Sequence, residues 1–196
     1  MNYFYYVLLL NYGIFDMSLG SYSHLTLWTW NYHCLSRIYI HFTKKKYIVN
    51  NLYLTSFVGS YCILNSYLFV LYLNPNLEHD INFNKSKSYI WLRSLVLHLT
   101  PCILSTYDMY NNCIYLPIKS YYSYLIIPSI HLLTGILYKS ITGKNNFNSY
   151  HIYVNYNNKK SNIRNINQLS FITFNLGIML STIHICKKLS DKLIQC

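Results

Sequence analysis

The stretch YIWLRSLVLHLTPCILSTYDMY, Tyr89 to Tyr110, holds one arginine and one aspartate among twenty-two residues. A helix of that length rises roughly 33 Å at about 1.5 Å per residue, enough to cross a bilayer core of about 30 Å. Its polar residues are ordered. Ser94, His98, Pro101, Ser105 and Asp108 follow one another at steps of three and four. Such steps put them on one face of a helix. In lipid a polar face turns inward, toward other helices or a wet cavity. The stretch therefore predicts one helix of a membrane bundle with a polar centre.

Five further apolar segments flank it: Asn2 to Phe15, Tyr22 to Phe42, Ile48 to Leu73, Ser120 to Lys139 and Gln168 to Cys186. All but the first are about 19 to 26 residues, long enough to span. The first is about 14 residues, or roughly 21 Å as a helix, so a short or tilted span is expected there. It lacks the basic flank of a cleaved signal peptide. The expected fold is all-α: an integral membrane bundle of about six transmembrane helices in a single domain over residues 1–196. Loops are expected at Asn74 to Ser88 and Ile141 to Asn167.

The composition agrees. Hydrophobic residues make up 53% of the 196 and charged residues 11%, under half the roughly 25% of a soluble domain. That excludes a disordered tail and an ordinary cytosolic enzyme. The chain has no alanine, 6 glycines and 4 prolines, against 23 tyrosines and 22 asparagines. An AT-rich coding sequence accounts for this bias, and the tyrosine and asparagine excess reads as background. The bias also lowers the mean hydropathy to +0.16.

The formal charge of +11 does not form a nucleic-acid patch. Basic residues sit at the ends of apolar runs, as at Lys44 to Lys46, Lys85 and Lys87, and Lys187 and Lys188. Loops of multi-pass proteins meet lipid headgroups there. No nucleic-acid partner is expected; the membrane and a lipid are. The early Lys44 to Lys46 cluster argues for both termini in the cytoplasm, and the basic loop after the fifth segment, on the other side, argues against it. The six cysteines show neither zinc spacing nor a disulfide framework, and most lie inside apolar runs, where they read as small buried hydrophobes.

Every long segment carries a polar or small stripe. These are Tyr22, Thr26, Thr29, His33 and Arg37; Thr55, Gly59, Cys62 and Ser66; Tyr124, Pro128, His131 and Gly135; and Ser170, Thr173, Gly177, Ser181 and His184. Close helix packing explains the small and hydroxyl residues. Ionisable groups at membrane depth are costly and mark function, which singles out Arg37, Arg93, His98, Asp108, His131 and His184. Thr26 and His98 are the candidate chemical pair. A hydroxyl beside a neutral imidazole is the minimal unit of acyl transfer. Asp108 is suited either to orienting a ring or to pairing with an arginine. His131 and His184 have plain readings as packing residues. No motif supports a metal site, and no cofactor is required.

The order of these motifs resembles a known family. SHLTLWTWNYHC (23–34) is similar to the Leu-Thr-bearing second span of the androgen-induced membrane hydrolases, and LTSFVGSYCILNSYLFVLYLNP (54–75) to their third. SLVLHLTPCILSTYDMY (94–110) is similar to the His-bearing fourth span, with the His, Pro, Asp order of a bacterial six-span relative. YSYLIIPSIHLLTGILYKSITG (122–143) looks like that relative's fifth span. The resemblance covers about residues 20 to 190. It implies a hydrolase of fatty acid esters of hydroxy fatty acids in the endoplasmic reticulum or plasma membrane. Thr26 would be its nucleophile and His98 its base.

There are departures. Trp28 intervenes where the family keeps a polar residue, and Asn31 comes five positions after Thr26, so Thr29 is a rival nucleophile. Tyr150 to Tyr153 lacks the proline of the family's aromatic-Pro-aromatic motif. Arg93, Ser94 and Asn31 are candidate oxyanion donors. Two rival classes remain beside the hydrolase: a non-catalytic subunit or assembly factor of a membrane complex, and a small-solute or ion carrier.

Overall fold

The structure is a computed structural model. It describes residues 3–18, 25–43, 45–73, 86–114, 116–143 and 168–193. Most of the two expected loops, together with Tyr22, Tyr150 to Tyr153 and Cys196, lies outside the described residues. Six helical rods stand among those described, and no strand. They are α1 (Tyr3–Ser18), α2 (Leu25–Phe42) and α3 (Lys46–Leu73), then α4, which runs from Lys87 to Asn111, α5 (Ile118–Thr142) and α6 (Gln168–Leu193). Each overlaps one apolar segment of the sequence.

Two rods change their winding, and proline explains both. α4 is α-helical over Lys87–Ser94, widens to a π turn over Leu95–Leu99 and resumes over Thr100–Asn111. The Thr100 N–H donates to the Leu95 carbonyl, five residues back. Pro101 has no N–H to give to Leu97, and its ring crowds that carbonyl, so the turn before it opens. α5 begins as Ile118–Tyr121 and tightens to a 3-10 turn over Tyr122–Leu125 before continuing from Ile126. Pro128 removes the bond that would have reached Tyr124.

Cross-helix contacts fix the directions. Trp30 Nε1 donates to the Leu9 carbonyl at 2.9 Å, and Tyr6 lies edge-on to His33. Both pairs have the same residue-number sum, so α1 and α2 are antiparallel. Arg37 over Tyr53, with Thr29 near Gly59, makes α2 and α3 antiparallel. Tyr61 with Thr106 and Tyr67 with His98 do the same for α3 and α4. α2 and α4 therefore run in the same direction.

α3 is central. On one side Leu54, Phe57, Val58 and Cys62 pack with Tyr121 and Tyr124 of α5 and with Met179, Ile183 and Cys186 of α6. A second cluster joins Tyr6, Leu27, Trp30, Cys34, Leu97 and Leu104 of α1, α2 and α4. The stripes of α2, α3 and α4 face inward: Thr29, His33, Arg37, Thr55, Cys62, Ser94, His98, Ser105 and Asp108 are all buried.

The stripe of α6 does not follow this pattern. Thr173, Gly177, Ser181 and His184 are exposed, and the first three line an open groove beside Asn65. α6 presents instead Met179, Ile183 and Cys186 to α3. Size does not sort the two faces: Phe174, Leu176, Leu180 and Ile185 are exposed, and Thr182, Cys186 and Ser190 are buried with Met179 and Ile183.

Four cysteines, Cys34, Cys62, Cys102 and Cys186, are free and buried as expected. Cys113 is exposed and disulfide-bonded, a pairing that the cysteine spacing did not suggest.

One described helix, Ile118–Thr142, is long and apolar enough to cross a membrane by length and composition. The other rods carry more tyrosine, asparagine and histidine. In α3 five tyrosines and three asparagines occupy a 28-residue helix. A tyrosine ring is largely apolar surface with one hydroxyl at its tip.

Candidate functional site

The polar interior between α2, α3 and α4 is closed at one end by an ion pair. Arg37 Nε stands 2.6 Å from Asp108 Oδ2, with the two side chains 3% and 12% exposed. The Tyr53 ring lies over the guanidinium at 4.1 Å. Neither charge is affordable alone at such a depth, so each stabilises the other. Asp108 is thus bound to an arginine and does not orient His98. Ten residues separate the two, about 15 Å along the helix.

His98 lies in the π turn of α4 and stacks on Tyr67 of α3, ring centroids 3.7 Å apart and 7° from parallel. π turns of this kind recur at functional sites. Ser94 precedes it by four residues on the same face, buried, with no hydrogen-bond partner among the described residues.

Thr26 is half-buried in the first turn of α2. It shares its helical stripe with Thr29, His33 and Arg37. It lies eleven residues before Arg37, about 16 Å along the axis, so its depth nearly matches that of His98. No hydrogen bond joins Thr26 to His98 among the described residues. Thr29, the rival hydroxyl, is buried and shares a 3.2 Å hydrogen bond with the Tyr124 hydroxyl of α5.

The remaining candidates are dispersed. Asn31 lies on the α1 side of α2, where its Oδ1 closes over Gly13. Five residues turn it about 140° away from Thr26, so it is no oxyanion donor for that hydroxyl. Arg93 is half-buried at the outer end of α4. His131 packs edge-on to Trp28 at 5.3 Å. The His184 Nε2 meets the Tyr122 hydroxyl at 3.0 Å.

Three tyrosines belong to this interior and were hidden in the sequence: Tyr6, Tyr53 and Tyr67. With twenty-three tyrosines in the chain, those three look like all the others. His33 was visible only as a member of the stripe. It is almost fully buried, and both its ring nitrogens lack a hydrogen-bond partner among the described residues.

Comparison with protein-family models, curated proteins and solved structures found no match.

Proposed function

We propose that this chain is a multi-pass integral membrane protein whose polar interior hydrolyses lipid esters, with Thr26 as nucleophile and His98 as general base. The observation that carries the assignment is register. The Arg37 and Asp108 pair ties α2 to α4, and the two candidate groups then stand at nearly the same depth on parallel helices. The resemblance to the androgen-induced hydrolases, read from the order of motifs, is consistent with this pairing.

The membrane setting is supported by the outer faces of the described helices, which carry many large apolar residues, while an arginine, an aspartate and three histidines are buried beside the apolar core. A soluble monomer rarely exposes an apolar surface of that extent.

The chemistry follows from the groups present. His98 takes the proton of Thr26 as Oγ1 attacks the ester carbonyl. The Ser94 hydroxyl donates to the oxyanion. Collapse of the tetrahedral species breaks the ester bond, and the leaving alkoxide takes the proton held by His98. Water activated by the same imidazole then attacks the acyl-threonine, which releases the acid and restores the Thr26 hydroxyl. The acid leaves laterally into the bilayer. No cofactor or metal enters these steps.

The stacking of His98 on Tyr67 favours a second reading, a non-catalytic membrane subunit. A ring held in that way has a structural role already. Hydrolysis of a fatty acid ester of a hydroxy fatty acid separates the two. It would be measured in membranes holding wild type, Thr26→Ala, Thr29→Ala, His33→Gln and His98→Ala at matched abundance. Turnover lost in Thr26→Ala and His98→Ala, and kept in the other two, is the expected result. Absence of turnover in wild type on this and simpler lipid esters sinks the hydrolase reading.

A further inference from the structure

Cys113 stands in the turn between α4 and α5, exposed and disulfide-bonded. Cys34, Cys62, Cys102 and Cys186 are free and buried. The chain has six cysteines, so elimination leaves Cys196 as the partner. The fold agrees with that count. Ile114, next to Cys113, packs in one cluster with Tyr121 of α5 and Cys186 of α6. The Lys187 ammonium of α6 stands 5.8 Å from the Tyr121 ring centroid. The last turns of α6 therefore run beside the turn that holds Cys113, and α6 reaches Leu193 before Cys196 follows in the sequence.

Other elements meet at the same end. Tyr6 lies in the first turn of α1, and Arg37 and Asp108 lie in the last turns of α2 and α4; all three line one cleft. Tyr53, near the start of α3, covers the Arg37 guanidinium. One end of the bundle thus carries the start of α1, the α2–α3 turn, the α4–α5 turn and the end of α6.

Charge does not assign this end to a side of a membrane. Lys45, Lys46, Lys187 and Lys188 belong to it, but Lys87, Arg93 and Lys139 belong to the other, so the positive-inside bias has no clear sign. A disulfide has one. Cytosolic thiols are kept reduced, and lasting disulfides belong to the lumen of the secretory pathway, the periplasm or the cell exterior.

We infer that Cys113 and Cys196 form a structural disulfide, and that the end of the bundle they share faces an oxidising compartment, away from the cytosol. The start of α1 and the Lys44 to Lys46 stretch face the same way, which sides with the basic loop after α5 as the cytosolic one. In forming the bond the two thiols give up two protons and two electrons to a disulfide-bearing oxidant, a protein thiol oxidoreductase, which is reduced to its dithiol. The bond does not depend on the chemistry assigned to Thr26 and His98; the sidedness rests on the membrane setting.

The bond is tested on the full chain in membranes from expressing cells. Free thiols are blocked under denaturing conditions, bonds are then reduced, and the released thiols are labelled with a maleimide heavy enough to shift a gel band. Wild type should take up two labels. Cys113→Gly suits the backbone φ of 46° at that position, so its fold should be kept. It should take up none, and neither should Cys196→Ser. An unlabelled wild type overturns the inference, and so does a labelled Cys196→Ser.

Sidedness is read by protease on sealed microsomes, with an epitope placed ahead of α1. The epitope should survive until detergent opens the vesicles. An epitope cut in sealed vesicles that keep the chain through alkaline carbonate overturns the inference and leaves the membrane reading standing. Release of the chain by carbonate overturns both, since an orientation requires a membrane.

Discussion

Arg37 and Asp108 lie on different helices, and their contact decides how α2 and α4 are set against each other. Breaking one side of a buried pair leaves a charge with no counterpart, at a cost of about 3–5 kcal/mol. Asp108→Asn should lose that much stability, read as thermal or denaturant unfolding in detergent. The double variant Arg37→Met with Asp108→Leu should recover most of it. A small loss in Asp108→Asn would mean that the pair does not hold the helices. The glycines offer a second contrast. A Cβ at Gly59 would meet the Tyr124 ring at 2.6 Å, whereas one at Gly177 meets nothing within 4 Å. Gly59→Ala should destabilise by about 1–3 kcal/mol through overpacking. Gly177→Ala should gain up to about 1 kcal/mol from helix propensity. Both are measured by unfolding, and the same sign at the two positions would contradict the packing described. Both ionisable residues are marked by the sequence as costly at depth, and an arginine is one of the two partners it suggests for Asp108. That the arginine is Arg37 was not legible, because spacing within one helix carries no information about a partner on another. Tyr67 was missed for a different reason: a residue type that is everywhere gives no signal anywhere.

The helices themselves were legible, since periodicity at steps of three and four is a property of each segment alone. Four of the five polar stripes face inward in whole or in part, and α4 is the clearest: all five of its stripe residues are buried. On α6 the stripe faces outward, because which face turns inward depends on the neighbours and not on the helix. The π turn at Leu95–Leu99 was foreshadowed only by Pro101. The opposite face of α4 carries its own prediction. Trp91, Leu95, Leu99, Ile103, Tyr107 and Tyr110 form an exposed ridge. It is about 28 Å long, close to the thickness of a bilayer core, with aromatic residues at both ends as at membrane interfaces. Trp91 is 71% exposed and Trp30 only 1%. In nanodiscs of brominated lipid, a chain keeping Trp91 but carrying Trp28→Phe and Trp30→Phe should have its fluorescence strongly quenched. A chain keeping Trp30 alone should be quenched far less. Equal quenching would place α4 elsewhere.

At the scale of the whole molecule, two distributions among the described residues stand side by side. The interior holds Arg37, His33, His98, Asp108 and a set of hydroxyls beside an apolar core, and large leucine, isoleucine, tyrosine and phenylalanine side chains also cover the outer faces. Water penalises both the exposed apolar faces and the buried charges. A lipid surround would remove the first penalty, since an apolar outer face costs nothing there. The proposed catalytic groups lie in this interior, and their assignment rests on a membrane setting. Alkaline carbonate extraction of membranes from cells expressing the full chain tests that setting most directly. The chain should stay with the membrane pellet and leave it only when detergent is added. Release into the carbonate supernatant as a dispersed, folded protein would contradict the account.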